Sequence, residues 1–207
     1  MILRPQGWHS RGYLPHFDGG RIPQAITFRL HDSLPQALLE RWRRELASQE
    51  GQRLDVELRR RIEGYLDRGY GNAHLRDPRL AALVQSALLH FDGERYRLSA
   101  WAIMPNHVHL LVTPDSSYTL SRIMHSLKSY TAQEANKLLE RQGEFWMDDY
   151  FDRFIRDAEH FAQAIAYIEN NPVKAHLCHA AHEWPFSSAW FRANPGSTPG
   201  SAGIPTR

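Results

Sequence analysis

Two histidines one residue apart, His107 and His109, stand in the stretch AWAIMPNHVHLLVTP. The apolar residues around them alternate as a strand does. Successive side chains of a strand point to opposite faces, so His107, His109 and Leu111 share one face and Val108, Leu110 and Val112 the other. Two imidazoles side by side can hold one divalent ion. A His-x-His pair alone is weak evidence for that, and a further ligand and a nucleophile must accompany it. The stretch SLKSYTAQEANK offers both: Tyr130, and Glu134 one helical turn later on the same face. A phenol, with a pKa of about 10, is a poor nucleophile at neutral pH. An ion that polarises a phosphate makes its attack feasible. Gln133 and Asn136 lie near Glu134 but off its face and rank below it as ligands.

The elements that must position these groups follow from periodicity and from caps. QAITFRL, residues 24–30, reads as a first strand. Residues 34–69 turn helical, with Gly51 dividing them into two helices. Asp77 and Pro78 open another helix. RYRLSAWAI and HVHLLVTP are strands joined through Pro105 and Asn106. A long helix follows, capped by Thr119 or Ser117 and closed by Gly143. YFDRFIRD is a short strand, and Asp157 caps a last helix that Pro172 should stop. The order predicts an α+β, ferredoxin-like (RRM-like) antiparallel sheet, with helices on one face, a catalytic helix on the other and an extra C-terminal helical segment. Residues 1–23 read as an irregular arm, 24–192 as the catalytic domain and 193–207 as a disordered tail.

Composition narrows the classes. The 207 residues are 42% hydrophobic and carry a net charge of +2, with a pI near 8.8. That permits a nucleic-acid partner without requiring one. The single cysteine, Cys178, excludes a disulfide framework and a multi-cysteine zinc site. No stretch approaches the roughly 20 apolar residues of a membrane span, and the first twenty residues lack a signal-peptide core. The expectation is a cytoplasmic protein.

PNHVHLL after a strand, SLKSYTAQEAN on a helix, FWMDDYFDRFIRDAEHFAQAIAYIENNPVKAHL and EWPFSSAW together resemble the HUH single-strand transposases, and among them the REP-associated tyrosine transposases. The arm GWHSRGYLPHFD and the strand ITFRL extend the resemblance over roughly Gly7 to Trp190. It implies a ferredoxin-like core that cuts single-stranded DNA near a hairpin. The tyrosine attacks the scissile phosphate, keeps the 5′ side as a phosphotyrosine, and a later 3′-hydroxyl rejoins the strand. Carried over by position, His107 and His109 bind the metal, Mg²⁺ or Mn²⁺, Tyr130 attacks, and the polar residue one turn later, Glu134, completes the metal shell. It also implies dispersed palindromic repeats as substrate, and a monomer rather than the shared-helix dimer of the insertion-sequence branch.

The DNA contacts expected from charge and aromaticity are Lys128, Arg122, Arg153, Arg156 and Lys174, with Trp8, Arg11 and Tyr13 of the arm stacking on unpaired bases. The basic runs at 41–44 and 59–61 alternate with glutamates and read as a salt-bridged helix face. Trp146, Phe151, Phe161 and Tyr167 read as packing residues, and Asp152 as a structural partner of Arg153. Two other function classes fit the same residues: a non-catalytic nucleic-acid-binding module, and a metal-dependent phosphodiesterase that uses water.

Overall fold

The computed structural model describes residues 7–10, 15–47 and 52–196. Its elements are β1 (Gly7–Ser10), β2 (Pro15–Asp18), β3 (Gln24–Arg29), α1 (Gln36–Glu45), α2 (Gln52–Asp67), α3 (Pro78–His90), β4 (Tyr96–Ile103), β5 (His107–Pro114), α4 (Leu120–Leu138), β6 (Phe151–Phe154), α5 (Ala158–Lys174) and α6 (Ser188–Ala193). The main sheet is antiparallel throughout, in the order β4-β5-β3-β6. That is the ferredoxin-like arrangement.

The caps explain where the helices begin. The Asp77 side chain accepts from the Arg79 amide at 2.9 Å, with Pro78 already holding the helical φ. Asp157 does the same for the His160 amide at 2.7 Å. Thr119, not Ser117, caps α4 by accepting from Arg122. Pro172 does not end α5. It sits in the last turn, where the helix loses only one amide donor, and the chain runs on to Lys174 before Leu177 closes back on the Pro172 carbonyl at 2.9 Å. Gly71, at φ +79°, follows α2; a Cβ there would lie 2.2 Å from the Ser33 carbonyl oxygen, so only glycine lets the chain pass.

Alternation along β5 divides the interior. Val108, Leu110 and Val112 join Val84 and Leu88 of α3 and Ile123, Met124 and Leu127 of α4 in the main core. Leu111 turns the other way, with Ala100 and Ala102 of β4, onto Ile165 and Ile168 of α5. A separate cluster ties α1 to α2 through Leu39, Leu58, Ile62 and Leu66. Burying each such Leu or Ile contributes about 1.5–3 kcal/mol. The β4 edge is covered by the C-terminal segment: Ile103 donates to the Phe186 carbonyl and the Trp184 indole donates to the Ile103 carbonyl, each at 2.9 Å.

The expected arm is not wholly irregular. β1 and β2 form a two-stranded antiparallel ribbon. It docks on β6, with the Phe17 amide donating to Asp152 at 3.0 Å and the rings of Phe17 and Phe154 4.9 Å apart. Gly51, and the tail from residue 197, lie outside the described residues. Among the described residues, no helix is long and apolar enough to cross a membrane.

Candidate active site

His107 and His109 are each 1% exposed, on the sheet face that carries α5. Asn106 sets the orientation of the first. Its amide nitrogen donates to the carbonyls of Leu66 at 3.2 Å and Tyr70 at 2.9 Å, so its oxygen must face the His107 Nδ1, 2.6 Å away. An oxygen only accepts, so His107 Nδ1 carries the proton and Nε2 keeps its lone pair. Thr27, directly across from His109 on β3, bonds its Nδ1 at 2.9 Å. The two Nε2 atoms then face each other at 2.8 Å.

Asp67, at the end of α2, approaches this pair. Its Oδ1 lies 3.4 Å from His107 Nε2, is buried, and makes no hydrogen bond of good geometry. The three ligand atoms of Asp67, His107 and His109 lie within 4.8 Å of one another. Two facing imidazole nitrogens and an unsatisfied carboxylate oxygen turned to one point suit a divalent cation. Burial, then the nearby His107, Arg59 and Lys174, hold His109 well below the usual imidazole range. A neutral imidazole is the form that ligates a metal. Asn106 and Thr27 supply the outer hydrogen bonds that fix such ligands.

Tyr167 of α5 stands against the pair, its ring 5.8 Å from that of His109. Its hydroxyl donates to Glu63 of α2 at 3.3 Å, and the Lys174 ammonium sits 4.4 Å over its ring. Burial, then the charges of Glu63 and Asp67, push this phenol well above its usual range. Asn171, one turn on, is fully buried, and neither polar atom of its amide has a partner in hydrogen-bond geometry.

Tyr130 and Glu134 are not brought to the histidines. They sit on α4, whose apolar stripe packs on the opposite face of the sheet. Tyr130 is 53% exposed there, and Glu134 pairs with Lys137 at 2.7 Å. Gln133 is exposed, and Asn136 donates to the Gly143 carbonyl at 2.8 Å. The carboxylate near the pair is Asp67 instead, and the tyrosine is Tyr167, which the sequence reading takes as packing. A signal was available: Tyr167, Asn171 and Lys174 form a polar stripe at helical spacing on α5, and Arg59, Glu63 and Asp67 form another on α2.

Of the expected DNA contacts, Lys174 stands at the site. Arg153 pairs across β3 with Ala25, which places it on the histidine face; it and Arg156 are exposed. Arg122 is exposed in the first turn of α4, away from that face. Lys128 is tied down: its ammonium donates to the carbonyls of Met147 and Asp148. Asp152 pairs with His16 at 2.5 Å, not with Arg153. Arg11 and Tyr13 lie outside the described residues, and for Trp8 only the backbone, in β1, is described.

The family model for IS200-like transposases matches residues 76–171. The comparison with curated proteins gives no match. Among solved structures, a REP-associated tyrosine transposase bound to a REP hairpin superimposes with a TM-score of 0.53 at 15% identity, over 96% of this chain and 93% of that one. A candidate transposase from Deinococcus radiodurans R1 gives a TM-score of 0.34 at 15% identity, over 79% of this chain and 96% of that one. Taken with the antiparallel sheet and its paired histidines, the match makes residues 76–171 of the chain similar to the IS200-like transposases.

Proposed function

We propose that the protein cuts and rejoins single-stranded DNA through a covalent bond between Tyr167 and the 5′ side of the cut. The observation that carries this is the position of the Tyr167 phenol against the His107–His109 pair, on a helix that covers their face. Asp67, His107 and His109 would hold a divalent ion, Mg²⁺ or Mn²⁺, and Asn171, one turn beyond Tyr167 on α5, has an unsatisfied buried amide. That ion would neutralise a nonbridging phosphate oxygen. The chain's own groups do the rest. Asn106 and Thr27 fix the imidazoles. Lys174, exposed above the phenol, offers a cation to the phosphate strand. The phenol oxygen attacks phosphorus, and the 3′-oxygen leaves. Because the phosphotyrosine conserves the bond energy, a later 3′-hydroxyl reverses the step without water.

The substrate class proposed is a DNA hairpin from palindromic repeats, on the strength of the hairpin-bound structure that shares this fold. Metal ligands and tyrosine all come from one chain, which supports a monomer as the working unit. The test is to incubate the protein with a single-stranded hairpin oligonucleotide and Mn²⁺ and to look for a denaturant-resistant protein–DNA adduct. Mass spectrometry should map it to Tyr167. Cleavage without an adduct would favour a water-using phosphodiesterase, and an adduct on Tyr130 would refute the assignment.

A further inference from the structure

We infer that Glu63 is a catalytic residue for this reaction, the general base that takes the Tyr167 proton and the acid that returns it. The inference rests on the reading of Tyr167 as nucleophile. It concerns a residue outside the segment that the family model matches, residues 76–171.

The geometry assigns each oxygen of Glu63 a separate task. Arg59 Nε donates to Oε1 at 3.0 Å, one turn earlier on α2. The Tyr167 hydroxyl donates to Oε2 at 3.3 Å. One oxygen is therefore anchored and the other left to the phenol. Arg59, Glu63 and Asp67 recur every four residues, so a single face of α2 presents an orienting cation, a base and a metal ligand in turn. Among the described residues, no other carboxylate and no imidazole hydrogen-bonds the phenol. His109 is occupied on both nitrogens, by Thr27 and His107. Asp67 turns to the histidines. A phenol, with an ordinary pKa of about 10, rests protonated at neutral pH and needs a base at the moment of attack.

The step balances as follows. The Tyr167 O–H bond breaks and its proton passes to Glu63 Oε2. The phenol oxygen forms a bond to phosphorus. The P–O3′ bond breaks with its electron pair on the 3′-oxygen, which takes a proton from solvent water. In rejoining, an incoming 3′-hydroxyl loses its proton to solvent and attacks phosphorus. The departing phenolate takes back the proton held by Glu63.

The test uses the full chain, a hairpin oligonucleotide with one scissile phosphate, saturating Mn²⁺ and single-turnover conditions. Glu63→Gln should slow cleavage by about 10² to 10⁴-fold, with Mn²⁺ and oligonucleotide affinities unchanged. Fluorotyrosine at position 167, a more acidic phenol, should recover at least about tenfold of that loss and change the parent's rate much less. A merely structural role for Glu63 would show no such relief. If Glu63→Gln fails to fold, Glu63→Asp carries the same comparison, with an intermediate rate relieved by the same fluorinated phenol. Cleavage at the parent rate, or a loss that fluorotyrosine does not relieve, overturns the inference. An inactive Tyr167→Phe beside a fully active Glu63→Gln would remove Glu63 alone. An active Tyr167→Phe would remove the nucleophile reading itself.

Discussion

The two faces of the sheet treat the same residue type in opposite ways. On the α4 face, His16 of β2 is buried between carboxylates, 2.9 Å from Asp149 and 2.5 Å from Asp152. Burial pulls its pKa down, but the hydrogen bonds and charges of the two aspartates together outweigh that and raise it to about 9. On the α5 face, His109 is buried beside another histidine and two cations, and is held well below its usual range. The first imidazole is a cation that fastens the β1–β2 ribbon to β6. The second stays neutral, the form in which an imidazole can ligate a metal. The tyrosines of the covering helices are both exposed but divide by face: Tyr130 on α4 lies on the side away from the histidine pair, while Tyr167 on α5 faces it. A residue's chemistry here follows from the face it lands on.

The largest effect that tests the contrast is in cleavage. Tyr167→Phe should reduce adduct formation by at least about 10³-fold, as removal of a nucleophile does. Tyr130→Phe should stay within about threefold of the parent, measured in the same hairpin assay. The reverse result would exchange the roles of the two faces.

Metal affinity comes next. Asp67→Ala or Asn106→Ala should weaken Mn²⁺ binding by about 10 to 100-fold, the one as ligand and the other as the group that orients His107. Glu134→Ala should leave the calorimetric titration unchanged. EDTA should stop cleavage by the parent.

A third comparison reads stability. Leu110→Ala, on the apolar face, should cost about 2–5 kcal/mol in urea unfolding. His109→Ala, one position away on the polar face, should cost much less, because it also removes an imidazole held against its neighbour. Equal costs would mean that the two faces bear load alike.

The smallest effect is a pH dependence. His16 has a folded-state pKa above its ordinary 6.5, so its contribution to stability is fully present below about 6.5 and is lost as pH rises through about 9. The melting temperature of the parent should fall across that window, and His16→Gln should flatten the fall. An unchanged slope in the variant would place the titration elsewhere.

The sequence by itself determined the four strands of the main sheet, the caps at Asp77 and Asp157, the histidine pair and the face that the pair shares; it took the β1–β2 ribbon for an irregular arm and left the α4 cap open between Thr119 and Ser117. Each depends on residues close in the chain: a period of two, a side chain two or three positions before the amide it caps, an apolar stripe. It did not determine the partners of the pair. Both α4 and α5 are amphipathic, and each carries a tyrosine with a polar residue one turn later, Tyr130 with Glu134 and Tyr167 with Asn171. Nothing local tells them apart. The choice is topological. β3 and β4 run parallel, as do β5 and β6, and each pair is joined by a crossover. Such crossovers are right-handed, which puts α3 and α4 on one face and leaves the other to α5. Asp67 and Glu63 arrive from the other side of the sequence, on a helix that Asn106 pins to the β4–β5 turn through the carbonyls of Leu66 and Tyr70. Those contacts join residues 36 and 40 positions apart, a separation at which only the folded chain decides what meets what.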